Sequence, residues 1–547
     1  MRKVKGNNRV QIILLVISIL IMTVLVVLPL MALFAKAFQH PDGSFAGAAN
    51  IGKYLTTPNL AGSLANTLYV SGLTALISVA LAFAYAYALT RTGIAGKGFL
   101  RFTSMLPLFA PTMMLGIGLI YLIGNKGLLT AAGLNLPLYG PFGIIVSEVI
   151  YTFPQAVMIL MVSLSYSDNR LYEAADAMGT PGWRKFLTIT LPGVRYGIVS
   201  SLFVTFTLSF TDFGAPKVVG GNYSVLAKDI YKHVVGSQDF TMGAVAGILL
   251  MLPAVVSFIA ERLMPNNRSG TISAKTVNYV IKPDKVRDLA FGIYCWLINI
   301  VILGLLGTVV LASLIKVWPY NMSLTLDHYF FSSPATGGSG VFLNSILVAV
   351  ITAVLGTVFV FANAYLIEKT RGAGPLRRIA SLMSVIPLAL PGLAIGIAYI
   401  FFFTNRANPF RFIYGTMWIL VLSNLVHFYS VPFVTATSAL KKLDREFELV
   451  SESMNIPFYK TFLRVTVPMS FAAILEIAMY FFVNAMVTIS AVVFLYPADF
   501  KLASIAIVNM EDAGDIAPAA ALSVLIILTN VVVRIGYEMI LRSKMKK

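Results

Sequence analysis

The chain has 547 residues, of which 58% are hydrophobic and only 12% charged, with a mean hydropathy of +0.83. A soluble domain carries roughly 25% charged residues, so this composition excludes an ordinary soluble enzyme, a disordered protein and a secreted disulfide scaffold. The net charge is +18, and its meaning depends on where the basic residues lie along the chain.

Twelve apolar segments are long enough to cross a membrane, because about 20 helical residues span the hydrocarbon core. In chain order, the predicted spans are 11–34, 67–90, 101–123, 141–165, 195–216, 241–261, 290–315, 341–367, 379–404, 414–439, 469–494 and 517–541. We therefore expect an all-α integral membrane protein with about 12 transmembrane helices and both termini on the same side.

The basic residues are unequally divided between the two sides of this topology. Of the 41 Lys and Arg residues, 31 fall in the termini and loops of one side and 10 in the loops of the other. Basic loops remain cytoplasmic, so both termini are predicted to be cytoplasmic. The same bias accounts for the net charge, and no nucleic acid partner is expected.

The longest polar stretch, 266–289, predicts a cytoplasmic linker between a first half, 1–265, and a second half, 290–547. The two halves repeat each other in order, at an offset that drifts only from 280 to 276. The matching pairs are Asn66 and Asn344, Tyr87 and Tyr365, Arg91 and Arg371, Pro107 and Pro387, Pro154 and Pro432, and Pro192 and Pro468. Because six spans return the chain to the same side, the repeat is parallel, and a pathway is expected between the halves.

Paired prolines at 107/111 and 387/391 are predicted to kink or break the third and ninth spans, since proline removes a helical hydrogen bond. Such breaks often line the pathway in transporters, although a simple packing kink is an equal alternative.

The loop that follows the fourth span, 166–194, predicts two short helices joined by a sharp bend. Four residues at helical spacing are expected to form one apolar face of the first helix: Leu171, Ala174, Ala175 and Met178. Gly179 suits the position just past a helix end, where φ is often positive. Thr180 suits the cap of the next helix, and Pro181 suits its first position.

This loop resembles the cytoplasmic signature of binding-protein-dependent ABC importer permeases. The signature requires Glu-Ala-Ala, three residues, Gly, nine residues, Ile, one residue and Leu-Pro. It is matched without a gap by Glu173, Ala174, Ala175, Gly179, Ile189, Leu191 and Pro192. The resemblance implies a type I ABC importer permease fold in a bacterial inner membrane, with this loop docked in a groove of an ATPase subunit. Small alanines would allow close approach there, and the acidic side chain would meet a basic partner.

A degenerate copy of the signature occupies 441–468 of the second half. Leu449 stands where the first copy has Glu173, and Asn455 replaces Gly179, which a left-handed bend tolerates. The residues predicted to couple this loop to an ATPase are Glu452, Met454, Asn455, Pro457 and Pro468, with Glu452 as the source of the missing carboxylate. We therefore expect two docking loops with unequal contacts; the alternative is that both are ordinary amphipathic connectors.

The resemblance also implies the partners of the chain. These are two ABC ATPase subunits on the cytoplasmic side and an extracytoplasmic solute-binding protein, in addition to the lipid bilayer. The sequence lacks a Gly-x4-Gly-Lys-Ser/Thr phosphate-binding loop, so the chain is not expected to be an enzyme. No cofactor is expected on this chain, because ATP and Mg²⁺ are used by the ATPase.

The fused layout resembles the ferric-iron, thiamine and 2-aminoethylphosphonate permeases. Three stretches, 106–111, 124–127 and 211–221, resemble the 2-aminoethylphosphonate group most, so 2-aminoethylphosphonate or a related phosphonate is the expected substrate. Ferric iron is the alternative. A different class of protein, an ion-coupled secondary transporter, is disfavoured because few charges lie within the predicted spans.

Ionisable groups at membrane depth are costly and usually face a cavity or a partner. The candidate pathway residues are Asp212, Lys217, Glu476, Asn484 and Thr488. Lys217 could bind a phosphonate group and Asp212 an amine. Alternatively, Asp212 caps or pairs locally at a helix end. Glu148 in the fourth span is expected to be a packed or interfacial group rather than a ligand.

Overall fold

The computed structural model describes residues 2–40, 42–166, 168–263, 279–331, 338, 340–370, 373–444 and 446–545. Residues 266–278 of the predicted linker, Arg371 of the repeat and Arg445 of the second loop lie outside the described residues. Among the residues described, regular structure is helical apart from a short antiparallel hairpin of strands Ile315–Val317 and Asn321–Leu324 and an isolated bridge between Gln39 and Phe45. The predicted all-α class is therefore confirmed.

The described part of the chain contains nine helices that are long and apolar enough to cross a membrane: Asn8–Ala37, Pro58–Arg91, Thr112–Ala131, Pro141–Ser165, Gly182–Thr211, Phe240–Ser257, Lys285–Leu314, Gly340–Lys369 and Ile516–Lys544. Three further candidates are pairs of helices bent by 112°, 55° and 80°, namely Gly374–Ala389 with Gly392–Phe403, Met417–His427 with Ser430–Lys442, and Phe458–Met469 with Phe471–Val487. If each bent pair is one span, the twelve predicted crossings are all present.

Shorter helices connect these spans: Ala49–Thr56, Lys97–Ser104, Leu106–Phe109, Asn169–Ala177, Gly214–Val219, Leu226–Tyr231, Asp327–Tyr329, Arg411–Ile413, Glu446–Ser453 and Ala503–Ala513. Several of them lie where the sequence predicted continuous spans or simple loops. Lys97–Ser104 and Leu106–Phe109 belong to the divided third span, and Gly214–Val219 lies at the end of the fifth predicted span.

The third predicted span, 101–123, is not one continuous helix. It is divided into Lys97–Ser104, a 3₁₀ turn at Leu106–Phe109 and Thr112–Ile123. Pro107 and Pro111 cause the division, because neither can donate the backbone hydrogen bond that would continue the helix. The matching prolines divide the ninth span in the same way, so the predicted breaks are confirmed.

The fifth predicted span, 195–216, has wrong boundaries at both ends. Its helix begins at Gly182 and ends at Thr211. Asp212 has an extended backbone, with ψ of 139°, and a separate short helix follows at Gly214–Val219. The apolar residues after Asp212 misled the hydropathy pattern, which does not register a change of backbone direction.

The chain forms two compact units that do not coincide with its two sequence halves. The first unit is Thr57–Asp229 with Val255–His328. Its core packs Pro58–Arg91, Pro141–Ser165 and Leu191–Thr211 together. Helix Lys285–Leu314, the first of the second half, joins this unit by packing against Thr112–Ile123.

The second unit is Met1–Thr56, Ile230–Ala254 and Tyr329–Lys547. Its core is formed by Gly340–Lys369, Phe471–Val487 and Ile516–Met545. The first helix of the chain belongs here, where the Ser18 hydroxyl donates to the Asn363 side-chain oxygen at 2.5 Å. Each unit thus contains the first helix of the other sequence half.

Candidate functional site

The first loop has a bent backbone set by a few residues. Helix Asn169–Ala177 is capped by Asp168, whose side chain accepts a hydrogen bond from the Arg170 N–H at 3.1 Å. Gly179 follows the helix with φ of +67°, as predicted, a region that costs an ordinary L-residue roughly 1–2 kcal/mol. Helix Gly182–Lys185 begins after Pro181. Pro181 therefore stands one position earlier than predicted, in the cap, and Thr180 does not cap this helix.

Apolar side chains of the first loop lie on its surface. Met178 is 76% exposed, and Leu171 and Ala174 are also exposed on the same helix. Ala175 is only 3% exposed and faces inward with Tyr172, so the predicted apolar face is right for three of its four residues and wrong for Ala175. An exposed apolar patch beside an acidic residue is typical of a surface that binds a partner.

Glu173 is exposed, and its carboxylate is held in place. The Asn169 side-chain N–H donates to Glu173 Oε1 at 2.7 Å. The Asn169 side-chain oxygen in turn accepts the backbone N–H of Val280 at 3.1 Å. Val280 belongs to the end of the linker, so the segment Tyr279–Lys282, called the strap below, positions the acidic residue of the signature.

The strap also completes a cage around Arg91, which is only 2% exposed. The Arg91 guanidinium lies 4.0 Å from the centre of the Tyr279 ring and 5.4 Å from that of Tyr172, and it donates to the Leu164 carbonyl at 2.7 Å. Cation–π contacts of this kind contribute about 0.5–2 kcal/mol each. Sequence analysis matched Arg91 to its repeat but assigned it no role.

An ion-pair cluster closes the strap onto the loop. Asp176 accepts hydrogen bonds from Lys185 and, at 2.5 Å, from Lys282 of the strap. These hydrogen bonds, from Lys185 and then from Lys282, lower the pKa of Asp176 below its ordinary value. No local sequence pattern reveals the strap, because its partners lie 106 to 188 residues earlier in the chain.

The second loop repeats the backbone of the first. Helix Glu446–Ser453 is followed by Asn455 with φ of +55°, and the Ile456 N–H donates to the Ser451 carbonyl at 2.8 Å. In the first loop, the Thr180 N–H donates to the Ala175 carbonyl at 2.9 Å in the same way. Met454 is exposed, as Met178 is, and Pro457 caps the next helix, Phe458–Thr461. The predicted persistence of the bend is confirmed.

The carboxylates of the second loop are placed differently from those of the first. Leu449 is exposed at the position of Glu173, whereas Glu452 takes the half-buried position of Asp176. The structure therefore does not present Glu452 where the first loop presents its acidic residue. Here Lys369, whose side chain is 4% exposed, anchors the loop by bonding to Glu448 at 3.2 Å.

Both loops continue into a π-helical turn, Phe186–Thr190 or Phe462–Thr466. The first residue of each turn packs against two aromatic rings from the second span of its own half: Phe186 against Phe83 and Tyr87, and Phe462 against Phe361 and Tyr365. Ile189 is half-buried in the first turn, and Leu191, Pro192 and Pro468 are exposed just after the turns.

Among the candidate pathway residues, Asp212 lies where the alternative interpretation predicted. It caps a helix by accepting the Ala215 N–H at 2.9 Å. The residue is half-buried, and its carboxyl group also meets the Thr112 hydroxyl and the carboxyl group of Glu148, which is 0% exposed. Lys217 is half-buried on the short helix that follows.

The three remaining candidates lie on one helix of the second unit, Phe471–Val487, or at its end. Glu476 is exposed near the start of the helix. Asn484 donates to the Tyr480 carbonyl at 2.8 Å, and Thr488 ends the helix. Twelve residues of helix place Glu476 and Thr488 about 18 Å apart, so the structure does not bring these three together.

A bundle of apolar spans with an exposed bent loop in each half defines a membrane-embedded transport subunit. The family model described as "Binding-protein-dependent transport system inner membrane component" matches residues 76–267 and again 370–546, more than half of the chain. The chain belongs to this family. It is a multi-pass inner membrane permease with two fused halves, a non-enzymatic subunit of an ABC importer.

Two curated relatives cover most of its length. The "Ferric transport system permease protein FbpB" of Actinobacillus pleuropneumoniae is 27% identical over 95% of this chain and 77% of its own. The "Putative ferric transport system permease protein FbpB 1" of Haemophilus influenzae is 27% identical over 91% and 80%. The shorter "Molybdenum transport system permease protein ModB" of Escherichia coli is 31% identical over 27% of this chain and 67% of its own.

Proposed function

We propose that this chain is the permease of a ferric-iron importer. The observation that carries this proposal is the similarity to two ferric transport system permeases along 91% to 95% of the chain. The expectation of a phosphonate substrate depended on three short stretches of the first half. A likeness that extends through both halves is the stronger guide, so iron replaces phosphonate as the proposed substrate.

In this proposal, an extracytoplasmic solute-binding protein delivers iron, and two ABC ATPase subunits bind the two loops on the cytoplasmic side. Both termini lie on that same side, in accordance with the distribution of basic residues. ATP and Mg²⁺ are used by the ATPases, and this chain holds no cofactor. The exposed Met178 and Met454, each just before a left-handed residue, support docking at corresponding places of the two loops.

The first loop is suited to transmit movement because it is continuous with a span. Helix Gly182–Lys185, the π-helical turn and Leu191–Thr211 form one 30-residue helix. A displacement of the loop by an ATPase would therefore tilt this helix rather than be absorbed by a flexible connection. The packing of Phe186 against Phe83 and Tyr87 passes the same displacement to helix Pro58–Arg91.

The test is reconstitution of the chain in proteoliposomes with its ATPase and its solute-binding protein. We expect ATP-dependent accumulation of radioactive ferric iron and no accumulation of 2-aminoethylphosphonate. ATP-dependent uptake of the phosphonate without iron would refute the substrate. Uptake driven by a proton or sodium gradient without the ATPase would refute the ATP-driven mechanism altogether.

A further inference from the structure

Glu148 is an acidic residue in an environment that offers it no compensation. It lies seven residues into helix Pro141–Ser165 and is 0% exposed. Among the described residues, no backbone N–H, hydroxyl group or basic side chain donates a hydrogen bond to either of its carboxyl oxygens. A buried carboxylate without donors is costly, so this side chain needs a positive charge, either a proton or another cation.

A second carboxyl group beside Glu148 makes this need greater. Its carboxyl group lies within hydrogen-bonding reach of that of Asp212. Asp212 accepts the Ala215 N–H and the Thr112 hydroxyl, which together fix its orientation. Two carboxylates that share a site cannot both be ionised unless a cation lies between them. At rest, a single shared proton would satisfy the pair.

A third oxygen group lies at the same level of the bundle. Helices Pro58–Arg91 and Pro141–Ser165 run in the same direction, because Ser78 meets Thr152 at 3.0 Å and Arg91 meets Leu164 further along. Thr74 lies one helical turn before Ser78, and Glu148 lies one turn before Thr152. Each therefore shares a helix face with the residue that makes this contact. Thr74 is 0% exposed, and its hydroxyl group has no partner among the described residues.

The second half has no such charge at the corresponding place. At the offset of 276 that relates the two loops, Glu148 corresponds to Asn424 and Asp212 to Thr488. Pro154 and Pro432 are offset by 278, because two additional residues separate Asn424 from Pro432, where the helix pair Met417–His427 and Ser430–Lys442 bends. Asp212 and Thr488 have nearly the same backbone, with φ and ψ of −70° and 139° against −69° and 137°. Asn424 is fully buried, as Glu148 is. The fold therefore accepts a neutral pair here, and the acidic pair of the first half is not a requirement of packing.

We propose that Glu148 and Asp212 form a hard-cation site at membrane depth, through which the transported ferric ion passes; this inference rests on the proposed function. Carboxylate and hydroxyl oxygens are the ligands that hard cations prefer. Asp212 is less deeply buried than Glu148, so we expect an entering ion to meet Asp212 first. A metal ion that enters displaces the shared proton, so binding releases that proton.

The test uses the proteoliposomes described above, with the single variants Glu148→Gln and Asp212→Asn. We expect each variant to assemble with the ATPase in the wild-type amount. Iron transported per ATP falls by about tenfold or more, the loss typical when the environment of a metal is damaged. The double variant Glu148→Asn/Asp212→Thr copies the neutral pair that the fold already accepts in the second half. It should therefore fold and assemble normally and still show the same loss of transport.

A second measurement asks directly whether the pair binds metal. Isothermal titration of the purified permease–ATPase complex with gallium(III) citrate, a redox-inert substitute for ferric iron, is expected to show one site with proton release in the wild type. Both single variants lose this site. Wild-type transport and gallium binding in the variants would overturn the inference. Absence of iron uptake by the wild-type protein would instead refute the proposed function, so the two failures are distinguishable.

Discussion

The first and second loops have the same backbone and different surfaces. Each contains a short helix, a residue with positive φ and a proline that caps the next helix. Each ends in a π-helical turn held by aromatic rings of its own half. The first loop nevertheless exposes Glu173 where the second exposes Leu449. The shape of a docking loop therefore depends on very few positions, and its contact chemistry can change without altering that shape.

The two loops are also fixed to their units by different means. Arg91 is enclosed by aromatic rings, one of which belongs to the strap, while Lys369 forms an ion pair with Glu448. The strap comes from the linker that joins the two halves. The first loop is therefore supported by the linker that joins the two halves, whereas the second loop is supported by a residue of its own half. The predictions below test whether these differences matter.

The largest effect is expected when the shared backbone is broken. Proline has φ near −65° and cannot adopt the +67° of Gly179, so Gly179→Pro should abolish binding of the ATPase and iron uptake. Gly179→Asn is the matched control, because Asn455 already occupies the equivalent place with φ of +55°. Co-purification with the ATPase measures both variants. Equal damage by Asn and Pro would show that Gly179 has a role other than its conformation.

Much of this comparison could be predicted from the sequence, because it depends on local chemistry. The left-handed bend follows from Gly179 and Asn455, and the broken third and ninth spans follow from proline pairs. Among the described residues, hydropathy located the nine continuous candidate spans and the three bent helix pairs. It failed at Asp212, where the backbone changes direction although the sequence on both sides stays apolar.

The contacts that could not be predicted are those between distant segments. Tyr279 and Arg91 are 188 positions apart in sequence, and no local pattern joins them. Glu452 was predicted to replace the carboxylate of Glu173. In the structure it lies instead at the position that corresponds to Asp176, on the half-buried side of the helix. The pairing of Glu148 with Asp212 likewise depends on how two helices pack, which periodicity within each helix does not determine.

A charge reversal at Glu173 should have the next largest effect and should depend on salt. Glu173→Arg places a positive charge where a basic ATPase residue is expected, so affinity for the ATPase should fall by about tenfold at low ionic strength and partly recover as salt screens the repulsion. Leu449→Ala, at the matched position of the second loop, removes an apolar contact without adding a charge and should respond little to salt. Affinity for the ATPase, measured across a series of salt concentrations, distinguishes the two variants. The same salt dependence for both would contradict the inference that the two loops make different contacts with the ATPase.

Loosening each loop separately should give a smaller and local effect. Tyr279→Ala removes the closer ring over Arg91, which weakens the attachment of the first loop by about 0.5–2 kcal/mol. Amide hydrogen exchange should increase in residues 168–180 and remain unchanged in 446–455. Glu448→Gln should produce the reverse pattern, because it breaks only the Lys369 ion pair. Faster exchange in both loops after either substitution would mean that the two supports are not independent.

The smallest expected effect concerns pH and the ion pairs of the strap. Hydrogen bonds from Lys185 and Lys282 lower the pKa of Asp176 below its ordinary value of 3.8. A carboxyl group with a lowered pKa stabilises the folded arrangement above its ordinary value, and this contribution is lost as the pH falls through the lowered pKa. The protection factor of the Val280 amide, which corrects for the intrinsic pH dependence of exchange, should therefore stay high at pH 4 and fall only in stronger acid. Asp176→Asn should remove this acid dependence, because only the hydrogen bond from Val280 to Asn169 then protects the amide. An unchanged acid response in that variant would show that another group holds the strap.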